Sequence, residues 1–184
     1  MYAANPTPNP FPSGANGFIA ETADPSHLHP ARLREALGRF VTGVTIVTAG
    51  ARGGELAGLT ANAFTSVSLD PPLLLVCVKA VSRSLGVIRA TGGFAIHLLD
   101  AEGGSLARCF SRSDGDKFAG IDLGFSRFGT PRLPGYLARF DCALERDLAG
   151  GDHRILIGRV RDIELTVTRA APLIFYRGQL GRRT

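Results

Sequence analysis

The chain has 184 residues, enough for one hydrophobic core and few for two. With 45% hydrophobic and 20% charged residues it is composed like a packed globular protein, which excludes a mostly disordered one. The formal charge of +5 comes from Arg far more than Lys, and the arginines are scattered rather than interleaved with aromatics in a run, so no nucleic-acid partner is expected. No apolar run approaches the roughly 20 residues that span a bilayer, so no membrane partner is expected either. The three cysteines, Cys77, Cys109 and Cys142, lack a Cys-x-x-Cys spacing and fit reduced core thiols.

Residues 1–30 are rich in Pro, Asn, Ser and Ala and lack a basic segment followed by an apolar one. They read as a flexible arm on a cytoplasmic protein, with 31–184 as one domain. Ala31 to Val41 then sets Leu33, Leu37, Phe40 and Val41 on one face of a short helix. Val44 to Thr48 is a β-branched strand, and the Gly-rich stretch Ala49 to Glu55 turns it into a second strand over Leu56 to Phe64. The continuous apolar run Leu73 to Val78 predicts a central strand buried on both faces. Ser82 or Ser84 caps a helix over Arg83 to Ala90 that Gly92 and Gly93 stop. Phe94 to Leu99 is a strand, Gly103 to Phe110 a helix, and Gly120 to Gly135 irregular chain. Three strands follow around Ala138 to Leu148, Arg154 to Thr168 and Leu173 to Tyr176. Strands outnumber helices with no βαβ alternation, which points to a closed or partly closed antiparallel barrel with peripheral helices.

Chemistry concentrates in a few places. Gly58 to Pro72, GLTANAFTSVSLDPP, strings hydroxyls and an amide along strand and bend, with small Ala61 and Ala63 between them. Composition alone favours a plain polar edge strand there; a site for a planar ring is the sharper reading. Ser82 and Ser84 precede a helix whose first N–H groups suit an anion, although N-capping is the commoner use. The Phe110–Phe118 loop brings Ser111, Arg112, Ser113 and Lys117 together, as a phosphate site or a solvated loop. His153 follows Asp152 in a turn before a strong strand, and Phe175–Gln179 joins aromatic surface to a guanidinium. No Gly-x-Gly-x-x-Gly, Walker loop, Gly-x-Ser-x-Gly elbow or His-rich metal motif occurs, so neither a conventional dinucleotide fold nor a metal is expected.

Taken together, RFVTGVTIVT at Arg39–Thr48, GLTANAFTSVSLDPPLLLVCV at Gly58–Val78, the Phe110–Phe118 loop, GDH at Gly151–His153 and PLIFYRG at Pro172–Gly178 resemble the short flavin reductases of two-component monooxygenases. The resemblance runs from about Leu33 to Gln179. It implies a mainly β fold, a Greek-key split barrel with a few peripheral α-helices, that binds FMN or FAD and takes electrons from NADH or NADPH. Carried over residue by residue, it implies that Thr60, Ala61, Asn62, Ala63, Phe64, Ser66 and Val67 line the flavin, with Cys77 and Val78 along the ring. Ser82, Arg83 and Ser84 match the phosphate side, and Phe110, Ser111 and Lys117 a second flavin-contacting loop. His153 matches the histidine at the nicotinamide position, and Tyr176, Arg177 and Gly178 the segment near the nicotinamide nucleotide. The family's members are homodimers that serve a separate oxygenase. Two departures stand out: the long Pro-rich arm, and Arg112-Ser113 where small residues are common. Rival functions keep the fold and change the acceptor, to a corrinoid or a ferric chelate, or lose the reaction in a non-enzymatic flavin- or haem-binding protein.

Overall fold

The computed structural model describes residues 29–167 and 170–182, so residues 1–28 of the expected arm lie outside it. Helix α1, Pro30–Leu37, starts on a proline and buries none of its residues. It ends four residues earlier than expected. Gly38 follows it in a turn, its carbonyl accepting the Arg177 N–H at 2.9 Å rather than an N–H of a continuing helix, and Phe40 and Val41 lie off the helix before β1 begins at Thr42.

From Gly38 onward the elements are β1 (Thr42–Gly43), β2 (Thr45–Gly50), β3 (Leu56–Ala61), β4 (Phe64–Leu69), β5 (Pro72–Lys79), α2 (Arg83–Thr91), β6 (Gly93–Leu99) and α3 (Gly104–Ser111). There follow β7 (Gly124–Phe125), β8 (Pro131–Arg132), β9 (Tyr136–Gly150), β10 (His153–Leu165), β11 (Leu173–Tyr176) and β12 (Gln179–Arg182). Seven strands form one antiparallel sheet in the order β3-β2-β6-β9-β10-β5-β4; β1, β11 and β12 form a smaller one, and β7 and β8 a short ladder. The two edges of the large sheet, β3 and β4, are consecutive in the chain with only Asn62 and Ala63 between them. The sheet must therefore curl until its edges approach, although the two strands do not pair. This is the expected mainly β, split-barrel-like fold, closed by the chain rather than by a hydrogen-bonded ladder. The Ala63 carbonyl accepts the Cys77 N–H at 3.0 Å and ties that corner to β5.

The long β9–β10 hairpin is the spine. Its base pairs with β6 from Gly93↔Ala143 to Leu99↔Tyr136, and its far part pairs with β5 from His153↔Lys79 to Arg159↔Leu73. Where the two halves diverge, β10 carries Gly158, at which a Cβ would lie 2.6 Å from the Phe94 ring and 2.8 Å from Cys142. Only glycine lets the three strands pack there.

The strand buried on both faces is β2 rather than β5. All six of its residues are buried: Val47 and Ala49 point into the barrel with Val76, Val78, Ile88, Ile96 and Leu156, while Ile46 joins Leu99, Ala107, Phe110, Leu133 and Leu173 on the other side. Its threonines tolerate this because Thr45 Oγ1 donates to the Ala61 carbonyl at 2.7 Å and Thr48 Oγ1 to that of Pro131 at 2.8 Å. In β5 only Leu74, Val76 and Val78 are fully buried, and Leu73, Leu75 and Cys77 are half-covered. The apolar run looked two-sided because its outer face is apolar as well. The three cysteines are free; Cys142 is fully buried, which raises its thiol pKa to about 12.

Candidate functional site

The first group of expected residues lies at the β3–β4 corner. Thr60 Oγ1 donates to the Ala107 carbonyl at 2.6 Å, pinning α3 to β3, so this hydroxyl is already engaged. Ala61 is buried, whereas Asn62 and Ala63 are exposed, as are Ser66 and Val67 beyond them. Phe64 is half-buried against Phe140, with ring centroids 6.2 Å apart. Cys77 lies half-exposed beside the corner. Val78 is fully buried, backbone included, and pairs with Arg154 of β10.

The second group surrounds the start of α2. Ser82 occupies the N-cap position with extended backbone, but its hydroxyl makes no capping hydrogen bond, and Ser84 is buried. The expected cap is thus missing. Arg83 projects into solvent, and its Nε donates to Glu55 Oε1 at 2.8 Å across the β2–β3 turn. Lys117 comes from the loop after α3 and inserts between α3 and β3, donating from Nζ to the Gly58 carbonyl at 3.0 Å and to the Phe110 carbonyl at 3.2 Å. Desolvation, with a smaller contribution from the Arg83 charge, lowers its pKa from the usual lysine value. The Phe110 ring is buried edge-on to Phe118 and fills the space over Gly58 that a Cβ would occupy. Its backbone carbonyl, not its ring, serves the site. Ser111 Oγ donates back to the Arg108 carbonyl at 2.7 Å.

His153 opens β10 opposite Lys79 of β5. Its Nδ1 lies 2.7 Å from Asp152 Oδ1, and the hydrogen bond from His153, then its charge, lowers the Asp152 pKa. A proton on Nδ1 directed at the carboxylate leaves Nε2 as the outward-facing nitrogen. The Ala80 N–H donates to the Asp152 carbonyl at 3.0 Å, so the β9–β10 tip rests on the turn leading into α2. That contact sets His153 one residue from the turn that leads into α2.

Tyr176, Arg177 and Gly178 lie apart from these, on the β11–β12 turn of the three-stranded sheet. Arg177 adopts the left-handed region at φ 49°, and its guanidinium carbon lies 5.4 Å from the centroid of the Tyr176 ring. A cleft of about 430 Å³ opens elsewhere, lined by Asp100, Asp122, Arg132, Tyr136 and Thr166 among others, and contains none of the expected site residues. Among the described residues no group of three or more His, Cys, Asp or Glu is placed to hold a metal, and no helix is long and apolar enough to cross a membrane.

Three contributors had no sequence signal of their own. Gly58 acts through its carbonyl, Lys79 is opposite His153 only by strand register, and Glu55 sits in a turn whose composition explained it fully.

Known proteins match this arrangement over almost the whole of it. The model of the flavin reductase like domain matches residues 37–183. The reductase subunit HsaB of a flavin-dependent monooxygenase from Rhodococcus jostii is 41% identical over 167 residues, 91% of this chain and 82% of that one. A probable flavin reductase from Rhizobium meliloti is 44% identical over 135 residues, 73% of this chain but 43% of its own longer length. An NADH:FAD oxidoreductase of Streptomyces globisporus, solved with NAD and FAD fragments, superposes with a TM-score of 0.80 at 36% identity over 90% of this chain and 98% of that one. A match through both halves of the split sheet, the corner between them and the hairpin carrying His153 leaves one assignment: the chain belongs to the flavin reductase-like family.

Proposed function

We propose that this protein is the reductase half of a two-component system, reducing FMN or FAD at the expense of NADH or NADPH and passing the reduced flavin to a separate oxygenase. One observation carries the reading. Arg83, with the uncapped start of α2 that it opens, and Lys117 from the loop after α3 lie near enough for the Arg83 charge to lower the Lys117 pKa, and both contact β3 or the turn before it, the strand that ends at the exposed Asn62–Ala63 corner. Such a donor set suits a phosphorylated, planar ligand: two cations and a helix start without a side-chain cap for phosphate, and exposed Asn62 and Ala63 where a ring can approach the backbone.

The bound flavin supplies the hydride-accepting chemistry. The chain supplies position and charge. Lys117, its ammonium fixed by two carbonyls, and Arg83 hold the phosphate end. The Asn62 amide and the neighbouring backbone groups orient the ring. His153, its Nδ1 engaged by Asp152, presents Nε2 to the nicotinamide side, orienting the incoming nucleotide rather than acting as an obligatory acid. A second copy of the chain supplies Tyr176–Gly178. Support for that comes from their place on a separate sheet and from the exposure of Ile163, Leu165 and Leu69 at 54%, 72% and 93%. Sedimentation of the purified protein tests the dimer.

The activity itself is tested by mixing protein, FMN and NADH without oxygen. Bleaching of the visible flavin band at a protein-dependent rate is the expected result, and an unbleached band overturns the proposal. Riboflavin, FMN and FAD compared against both nicotinamides then define the preferred pair.

A further inference from the structure

The anion site contains its own anion. Arg83 is held by Glu55 at 2.8 Å, and both side chains are largely in solvent, 76% and 56% exposed. An exposed pair of this kind contributes little to stability, so its consequence is local: it decides what the guanidinium is bound to. Lys117 differs. Its hydrogen-bond partners are the neutral Gly58 and Phe110 carbonyls, and the Asp114 carboxylate acts on it only through space, so no anion is hydrogen-bonded to its ammonium and one N–H is left over. Of the two cations, one is fixed and available, and the other is engaged and can be released.

We infer that Glu55 is a resident competitor for the phosphate of the bound flavin, occupying Arg83 until that phosphate displaces it and so setting how readily the flavin nucleotide leaves. This rests on the function proposed above. A phosphate carries up to two negative charges and accepts a bidentate pair from a guanidinium, so it outcompetes a single exposed carboxylate. It binds at a discount equal to the pair it breaks. Riboflavin, which has no phosphate, incurs no such discount. In a protein whose product must be handed on, a built-in competitor favours release over retention.

The test measures dissociation constants and dissociation rates of FMN and riboflavin for the wild type, Glu55→Gln, Arg83→Gln and the double variant. Glu55→Gln should bind FMN about 3-fold more tightly, with a matching fall in its dissociation rate, and riboflavin unchanged. In the Arg83→Gln background the Glu55 substitution should have no effect. Unchanged FMN affinity in Glu55→Gln, or an equal shift for riboflavin, overturns the inference while leaving the reductase intact. A wild-type protein that binds neither flavin overturns the proposed function and this inference with it.

Discussion

Lowering the pH from 6.5 to 4 should cost the fold about 3 kcal/mol at His97 alone, because this imidazole is held at a pKa of about 3 against an ordinary value of 6.5. The main cause is burial at 0% exposure, and the geometry fixes the neutral form. Nδ1 lies 3.2 Å from the Ile46 carbonyl, which can only accept, and Nε2 lies 3.2 Å from the Leu133 N–H, which can only donate. A second ring proton would confront that N–H. Below pH 6.5 the unfolded chain therefore takes up a proton that the native state refuses, and stability falls with pH until about 3. Urea unfolding at intervals across this window gives the slope. Carboxylates with lowered pKa values, such as Asp147 and Glu164, add to it, so the informative quantity is the stability gap between wild type and His97→Gln. That variant is less stable at neutral pH but has no imidazole to protonate, and the gap should narrow by about 3 kcal/mol by pH 4. A gap constant with pH would show that His97 takes up its proton in the native state and would refute the argument.

Replacing Lys117 with Met should weaken FMN binding about 10-fold and leave riboflavin nearly unchanged, as equilibrium fluorescence quenching can measure, because the loss is a charge-assisted contact to phosphate. Gly58→Ala places a Cβ against the buried Phe110 ring and should destabilise the protein by about 1–3 kcal/mol in urea titrations. FMN binding should suffer too, since the Gly58 and Phe110 carbonyls that anchor Lys117 move apart. Asp152→Asn removes the carboxylate that orients His153 and should slow single-turnover flavin reduction about 10-fold with the flavin dissociation constant unchanged; an unchanged rate would remove Asp152 from the site.

The local pattern exposed most strands and helices α2 and α3 because each signal was short-range: β-branched runs, a Gly stop, a Pro start. Pairing was not legible in the same way. That β3 and β4 form opposite edges of one sheet depends on every strand between them, and no local feature of Asn62-Ala63 announces a corner. β12 was missed for a related reason: Gln179–Arg182 is polar and Gly-containing, and becomes a strand only because β11 offers it a partner. The anion site shows the same division. Lys117 and the α2 start were visible as chemistry, but Glu55 and Lys79 belong to the site only through a hairpin turn and a strand register that fall out of the completed sheet. Ser84 erred the other way. It was a candidate helix cap, whereas it lies inside α2, buried against the sheet, with Ser82 at the N-cap position.

The split in the barrel and the position of the candidate site have a common origin. A fully paired barrel would satisfy the backbone at the β3–β4 junction, leaving no exposed N–H or C=O and no room beside it. Here the chain alone bridges the edges, so the Asn62 and Ala63 backbone stays accessible with only the Ala63 carbonyl tied down. Lys117 can reach the site because Gly58, on the edge strand leading into that bridge, has no side chain to exclude α3. Replacing Ala63 with Val tests the link. Its exposed side chain should cost the fold less than about 0.5 kcal/mol, while a branched group over the open backbone should weaken riboflavin and FMN binding by the same factor. A loss confined to FMN would place the ring elsewhere and leave only the phosphate end at this corner.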